Sequence, residues 1–375
     1  MTLTFFIECN DCSERYRMRY GLGNNYPQLA SFQCYECSKQ IETGYDVFKG
    51  DRILNGAKSI DDESLWEDNL KVVNLHPEIP TTKGNENNPV HFQTMDVFKN
   101  LHKSKADIGK FKAEQVIWSK FNGKWKKVEK PLRIISNKDE EKLKSVCNLN
   151  FNQFTKLYNE WFLIFVRGEQ ETDFYNLCDD YNSIDLTQIK VFAKTQDKFI
   201  KQINELCNTY MQFSQQFQST MFHQKYGWEI TDELVANINW NDIGTVYGDL
   251  YEIIGDFFVI PTMINNLIEG RDFDEFKSQG FTLSKYLKTD KANRAKNFET
   301  NENLAFLANA YHSWLRNGTH HKNSFMNAET FEVSLGTSKG GTIEKKISVI
   351  EYIKNCNELF GVGLMISSII LELKK

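Results

Sequence analysis

The spacing of hydrophobic and polar positions changes character along the chain. Tyr16, Met18 and Tyr20 alternate with Arg15, Arg17 and Arg19, the two-residue period of a strand with one apolar and one basic face. From about residue 43 to residue 133 no long period is sustained, and Pro77, Pro80, Pro89 and Pro131, four of the six prolines, argue against long helices there. Residues 81–88 read as an exposed loop. From Asp139 onward the pattern is helical. Phe151, Phe154, Leu157, Tyr158 and Trp161 fit one helix face, and residues 189–222 predict a second long helix carrying Phe192, Phe199, Ile203, Leu206, Tyr210 and Phe217. A further helix is expected over residues 242–269, kinked or broken by Pro261. Leu304, Leu307, Ala308, Tyr311 and Leu315 predict an amphipathic helix over 303–316 that stops near Gly318. Phe331, Val333 and Leu335 then alternate before a glycine-rich turn, which suggests a small hairpin. Ile347, Ile350, Ile353, Leu359, Phe360 and Leu364 begin a final helix.

These elements predict a mainly α chain with a small β ribbon at residues 1–45. A mixed or irregular region with a linker follows at 46–138, then a helical region at 139–231 and a helical domain at 232–375. The division before Asp139 is the firmest change of texture, with a second near residues 227–232. Hydrophobic content of 41% and charged content of 25% fit a globular protein. The net charge of -5 excludes a generally basic nucleic-acid coat, so any RNA contact must come from local patches. The longest apolar run, residues 359–373, holds two glycines, two serines and a glutamate, which argues against a membrane span. The N-terminus has neither the basic flank nor the apolar core of a signal peptide, so the cytoplasm is the expected location.

Candidate chemistry begins with Cys9-x2-Cys12 and Cys34-x2-Cys37, separated by 21 residues. Paired knuckles of this kind bring four thiolates to one Zn2+, and ligation supplies folding energy that so short a segment lacks. With four thiolates and no open position, the zinc is expected to be structural. Cys147, Cys178, Cys207 and Cys356 lie in or near helical patterns, where buried free thiols are commonplace. The arginine face between the knuckles is either a phosphate contact, with Tyr16 or Tyr20 available for stacking, or a solvated ribbon surface. Lys124, Lys126, Lys127, Lys130 and Arg133 around Trp125 present the same choice between a nucleic-acid contact and a solvated turn. His76, His91 and His102 lack ligand spacing.

Three of the seven histidines lie in the segment from Tyr311 to Lys322, beside Arg316. Metal-free RNA cleavage requires removal of the 2′-hydroxyl proton, stabilisation of the charge on the phosphorane, and protonation of the leaving 5′-oxygen. Imidazole suits the proton transfers, and guanidinium, always ionised, suits the charge. Arg316-Asn317-x-x-x-His321 resembles the Arg-polar-x-x-x-His motif of the HEPN superfamily, helical domains many of whose members are metal-independent ribonucleases. The resemblance covers the last 140 or so residues. It implies a helical bundle in which Arg316 stabilises the phosphorane, His321 acts as general acid or base and Asn317 orients. His320 is kept as a second imidazole, because on an unbroken helix it lies about 40° from Arg316 whereas His321 lies about 140° away. A homodimer with facing motifs, a toxin or antiviral defence role, and control by a trigger protein or antitoxin are further implications.

Capping of a helix C-terminus is the other role open to these side chains. Asp249, Glu252 and Asp256 are placed on the wet face of their helix rather than in the site, and Lys285, Lys288, Lys291, Arg294 and Lys296 are expected to form a basic approach to it. The competing function is a non-catalytic zinc-ribbon adaptor, or a nucleic-acid-binding protein with a HEPN-like interaction domain.

Overall fold

The computed structural model describes residues 2–21, 28–46, 51–61, 70–75, 105–166, 169–225, 239–320, 324–327, 330, 332–336 and 343–375. His76, His91, His102, His321, the loop at 81–88, the division at 227–232 and the turn at 337–342 lie outside the described residues. The chain is mainly α with a small N-terminal β region, and it forms two compact units. One comprises residues 1–114, 214–243 and 321–354; the other comprises 115–213, 244–320 and 355–375.

In the first unit the apolar alternation produces strands β1 (Thr2–Cys9), β2 (Arg15–Gly21), β3 (Gln28–Gln33) and β4 (Gln40–Asp46). They are followed by β5 (Asp51–Asn55), β6 (Ala57–Ser59) and β7 (Lys71–Leu75). One sheet has the order β6-β1-β2-β7 and another β3-β4-β5, with β2·β7 the parallel pair. Tyr16, Met18 and Tyr20 are fully buried with Ile7, Ile41 and Leu75, so the apolar face of β2 is core and its arginines point the other way. The strand content thus runs to residue 75, beyond the ribbon expected to end at 45. A third sheet, β8 (Ser324–Asn327), β9 (Glu332–Gly336) and β10 (Ile343–Ser348), contains the expected hairpin and adds an edge strand that no alternation announced.

The helices begin earlier than the prolines suggested. Helix α1 (Lys105–Ser136) runs for 32 residues and includes Pro131. Packing explains this, because Trp118, Phe121, Trp125, Val128 and Leu132 line one buried face whose burial outweighs one lost backbone hydrogen bond. Then come α2 (Glu140–Cys147), α3 (Phe151–Val166), α4 (Glu169–Asn182), α5 (Thr187–Thr195), α6 (Lys198–Gln212) and α7 (Ser214–Lys225). Where one long helix was expected over 189–222 there are three, with breaks at residues 196–197 and at Phe213. At the first break the Asp197 N–H turns back to the Thr195 carbonyl at 3.2 Å and its carboxylate pairs with Lys138 at 2.6 Å.

Helices α8 (Trp240–Phe257) and α9 (Val259–Ile268) divide at Phe258. The break follows from Pro261, whose ring would meet the carbonyl of Phe257 four residues back. After α10 (Leu283–Lys288) come two 3-10 segments, Lys291–Asn297 and Ala305–Ala308, and then α11 (Ser313–His320) and α12 (Val349–Lys374). The helix expected over 303–316 does not form as one piece. Leu304, Leu307, Tyr311 and Leu315 are buried as the stripe required. However, the Tyr247 hydroxyl accepts the His312 N–H at 2.9 Å and donates to the Ala310 carbonyl at 2.8 Å, taking backbone groups a continuous helix would use.

In the second unit Trp161 is fully buried, with ring centroids 5.3 Å from Phe121 and 4.8 Å from Trp125. Trp125 is therefore core and not a stacking platform. The Tyr210 ring stacks on Phe360 at 3.9 Å, and its hydroxyl donates to Asn357 at 2.8 Å. Gly363 lets α12 close on α6, since a Cβ there would come within 2.7 Å of Leu206. Helix α12 contains a stretch, Val349–Leu373, long and apolar enough to cross a membrane, but 89% of its apolar window is buried inside the protein.

Candidate functional site

The two CxxC knuckles are built alike. Each joins the strands of an antiparallel hairpin, β1·β2 or β3·β4. The first cysteine's carbonyl accepts the N–H of the serine after the second, Ser13 to Cys9 at 3.0 Å and Ser38 to Cys34 at 2.8 Å. Those serines take φ of 62° and 59°, the left-handed geometry for which glycine is the usual choice. The four sulfurs all lie within 4.8 Å of one another, with Cys9 and Cys37 at 3.7 Å and Cys12 and Cys34 at 3.5 Å. Each close pair thus takes one sulfur from each knuckle, an interleaving suited to holding one metal ion.

The Tyr16 hydroxyl stands 3.2 Å from the Cys34 sulfur and accepts the Tyr35 N–H at 2.8 Å. Burial works against ionisation of Cys34, but the Tyr16 hydroxyl, the backbone N–H groups of Cys37 and Glu36 and the Cys12 thiol bring it down to about 7. Burial pushes Cys12 up to about 12 and Cys37 upward as well. Four crowded thiols of this kind ionise together only when a cation takes up their charge.

In the second unit α11 begins at Ser313, continues through Gly318 and ends at His320. The expected stop at Gly318 is not observed; Gly318 is buried within the helix. Position 320 consequently lies one turn along the helix from Arg316, about 40° around the axis. The Arg316 Nε and Nη2 donate to Glu252 Oε1 at 2.9 and 2.7 Å, and its Nη1 donates to the Asn317 amide oxygen at 3.1 Å. Arg316 and Asn317 are therefore together. The imidazoles of His320 and His321 lie outside the described side chains.

Glu252 is the partner that sequence reasoning left out. The signal was present, since Asp249, Glu252 and Asp256 recur at three and four residues on α8, but carboxylates at that spacing ordinarily face water. Lys291 Nζ reaches Glu252 Oε2 at 3.1 Å, the Glu252 carbonyl at 2.7 Å and Asp256 Oδ1 at 3.5 Å. Asp256 also accepts from Arg294 at 2.5 Å and Gln202 at 2.7 Å. Burial tends to raise the Asp256 pKa, but Lys291, Arg294, Gln202 and Lys198 together hold it below the ordinary carboxylate value. Arg294 is buried and also donates to the carbonyls of Gly255, Thr289 and Leu287. Buried Arg294 and half-buried Lys291 are thus paired within one charge network and are not free cations of a basic approach.

Tyr311 stacks on Tyr251 at 3.8 Å beside this network, and its hydroxyl would lie 2.3 Å from a Cβ placed on Gly255. Gly255→Ala is expected to cost about 1–3 kcal/mol by overpacking, read as a lower urea midpoint with a changed near-ultraviolet tyrosine signal. An unaltered midpoint would show that Tyr311 moves aside freely. No family model matches the chain, and neither does any curated protein or solved structure.

Proposed function

We propose that this protein is a metal-independent endoribonuclease of HEPN type whose catalytic motif begins on α11. In this reading Arg316 stabilises the charge on the phosphorane, Asn317 and Glu252 orient its guanidinium, and the histidine pair that closes the motif carries the proton transfers. The continuous helix from Ser313 to His320 is the observation that carries it, because it sets an imidazole-bearing position one turn from a guanidinium already fixed on two sides. His321, at the family spacing, is the proposed general acid or base, and His320, whose backbone position lies one turn along the helix from Arg316, is the second imidazole. Two facing motifs in a homodimer would complete the acid–base set, and a toxin or defence role under a trigger protein or antitoxin follows from the family likeness.

Zinc is the ion proposed for Cys9, Cys12, Cys34 and Cys37. A tetrahedral site with Zn–S near 2.3 Å needs sulfurs about 3.8 Å apart, close to the 3.7 and 3.5 Å spacings found. With all four positions taken by thiolates, such an ion would staple the ribbon and leave catalysis to the second unit.

The test is RNA cleavage by purified wild type, Arg316→Ala, His320→Ala, His321→Ala and the double histidine variant in divalent-free buffer, with products examined for 2′,3′-cyclic phosphate ends. Arg316→Ala is expected to lose about 10²–10³-fold in rate and the essential histidine variant about 10²–10⁴-fold. Cleavage that survives Arg316→Ala and the double histidine variant would remove α11 from the mechanism. One observation favours a non-catalytic adaptor instead: the contacts of Arg316 to Glu252 and Asn317 also suit a purely structural tie between α11 and α8. That reading predicts lower stability for Arg316→Ala and RNA left intact by every form.

A further inference from the structure

The lysine run around Trp125 is part of helix α1, which sorts its residues into two faces. Trp118, Phe121, Trp125, Val128 and Leu132 are buried. Lys120, Lys126, Lys127, Lys130 and Arg133 are exposed, and none of these five side chains makes a hydrogen bond or a close ion pair among the described residues. At 100° per residue they occupy about 140° of the circumference, and from Lys120 to Arg133 they cover about 20 Å of axis. Glu129 is the exposed carboxylate between them.

The neighbouring surface has the same sign. Lys124 pairs with Glu160 of α3, and Lys156 and Lys127 also act on that carboxylate, which is held below its ordinary range chiefly by the Lys124 hydrogen bond. One acid thus faces three lysines. In a chain of net charge -5, this concentration of cations reverses the local field.

We propose that the exposed face of α1 is a docking surface for the phosphate backbone of RNA, which it presents to the same unit that carries Arg316. This rests on the ribonuclease reading for its choice of polyanion. A stripe of about 20 Å matches roughly three to four phosphates of a single strand at about 6 Å each, and the cations share one side of the helix. Lysine contacts of this type carry little sequence information, so the surface holds the strand and leaves selection to other groups.

The experiment measures binding of a labelled single-stranded RNA of about 20 nucleotides by the full-length protein across a salt series, in an Arg316→Ala background that prevents cutting. Replacing Lys120, Lys126, Lys127, Lys130 and Arg133 with glutamine retains helix propensity. It is expected to weaken binding at least 10-fold near 0.1 M salt and to flatten the slope of log K against log salt by about 0.7 for each phosphate that is no longer neutralised. The control replaces Lys142, Lys144, Lys190, Lys194 and Lys201, all exposed on α2, α5 and α6, for the same change in charge. Equal weakening by the control overturns the assignment, and so does an unchanged slope in the α1 variant. DNA of the same sequence bound as tightly, with the same dependence on the stripe, overturns the choice of RNA. Competition by an acidic peptide but not by RNA would make the surface a protein-binding one and also refute it. Failure of wild type to cleave leaves this measurement intact, while cleavage at the wild-type rate by the α1 substitutions in a chain that keeps Arg316, with unchanged binding, sinks the docking surface alone.

Discussion

Replacing Cys34 with serine is expected to abolish tight zinc binding and to unfold the N-terminal ribbon. Cys34 is fully buried, and its sulfur meets both the Cys12 sulfur at 3.5 Å and the Tyr16 hydroxyl at 3.2 Å. A serine oxygen is a poor substitute for thiolate at a soft four-sulfur site and is too short to reach the same point. Apparent binding free energies of about 10–16 kcal/mol for structural zinc equal or exceed the whole stability of a typical domain, about 5–15 kcal/mol. Loss of a ligand is therefore a folding defect. The measurement is zinc content per chain together with amide-exchange protection of β1 to β4: about one equivalent with slow exchange in wild type, and little zinc with fast exchange in the variant. Chelation should reproduce the defect in wild type, and added zinc should reverse it only there. Cys178→Ser, at a half-buried thiol on α4, is the control expected to retain the metal. Full zinc stoichiometry in Cys34→Ser would refute the four-cysteine centre.

Arg294→Ala is expected to destabilise the second unit by about 3–5 kcal/mol, the usual result of removing one partner from a buried ion pair. Its guanidinium serves Asp256 and three backbone carbonyls that have come out of water. Lysine places a single ammonium where a planar fork spans four acceptors, so Arg294→Lys should recover only part of the loss. Chemical denaturation of both variants at neutral pH would measure the difference. A midpoint unchanged within error in Arg294→Ala would mean that water replaces the guanidinium freely.

The pH dependence follows from the sign of the Asp256 shift. Its folded pKa is depressed below 3.8, so the folded state binds the proton less readily than the unfolded chain. The associated stability is fully present above the unfolded value and is lost as pH falls through the folded one. Wild type should lose this contribution below about pH 4. In Arg294→Ala, where desolvation is less well opposed, the folded pKa lies nearer the unfolded one, so the acid-induced loss from this group should be smaller.

Much of this arrangement was readable because some constraints are local. Residue pairs such as Cys9 and Cys12 announce their role by spacing, since a knuckle closes within five residues whatever surrounds it. The alternation from Arg15 to Tyr20 and the stripe through Phe199, Ile203, Leu206 and Tyr210 were equally legible, because strand and helix periods select which side chains share a face. Pro261 marked a helix break correctly, as its ring acts on a carbonyl only four residues away. Pro131 did not break its helix, because Trp118, Phe121, Trp125 and Trp161 form a packed layer that no local rule contains.

The remainder was decided by groups distant in sequence. Tyr247 captures the backbone near His312 from 65 residues away, dividing a helix that its own letters would continue. Glu252 becomes the partner of Arg316 across 64 residues, and Arg294, one of a run of basic residues, is drawn into the interior by Asp256. The sequence by itself determined the alternation of the strand at residues 15–20, the buried stripe over residues 199–210 and which four thiols converge. Tertiary structure decided which charges are spent inside the protein and which stay exposed, because pairing depends on desolvation and on three-dimensional neighbours that periodicity along a chain does not encode.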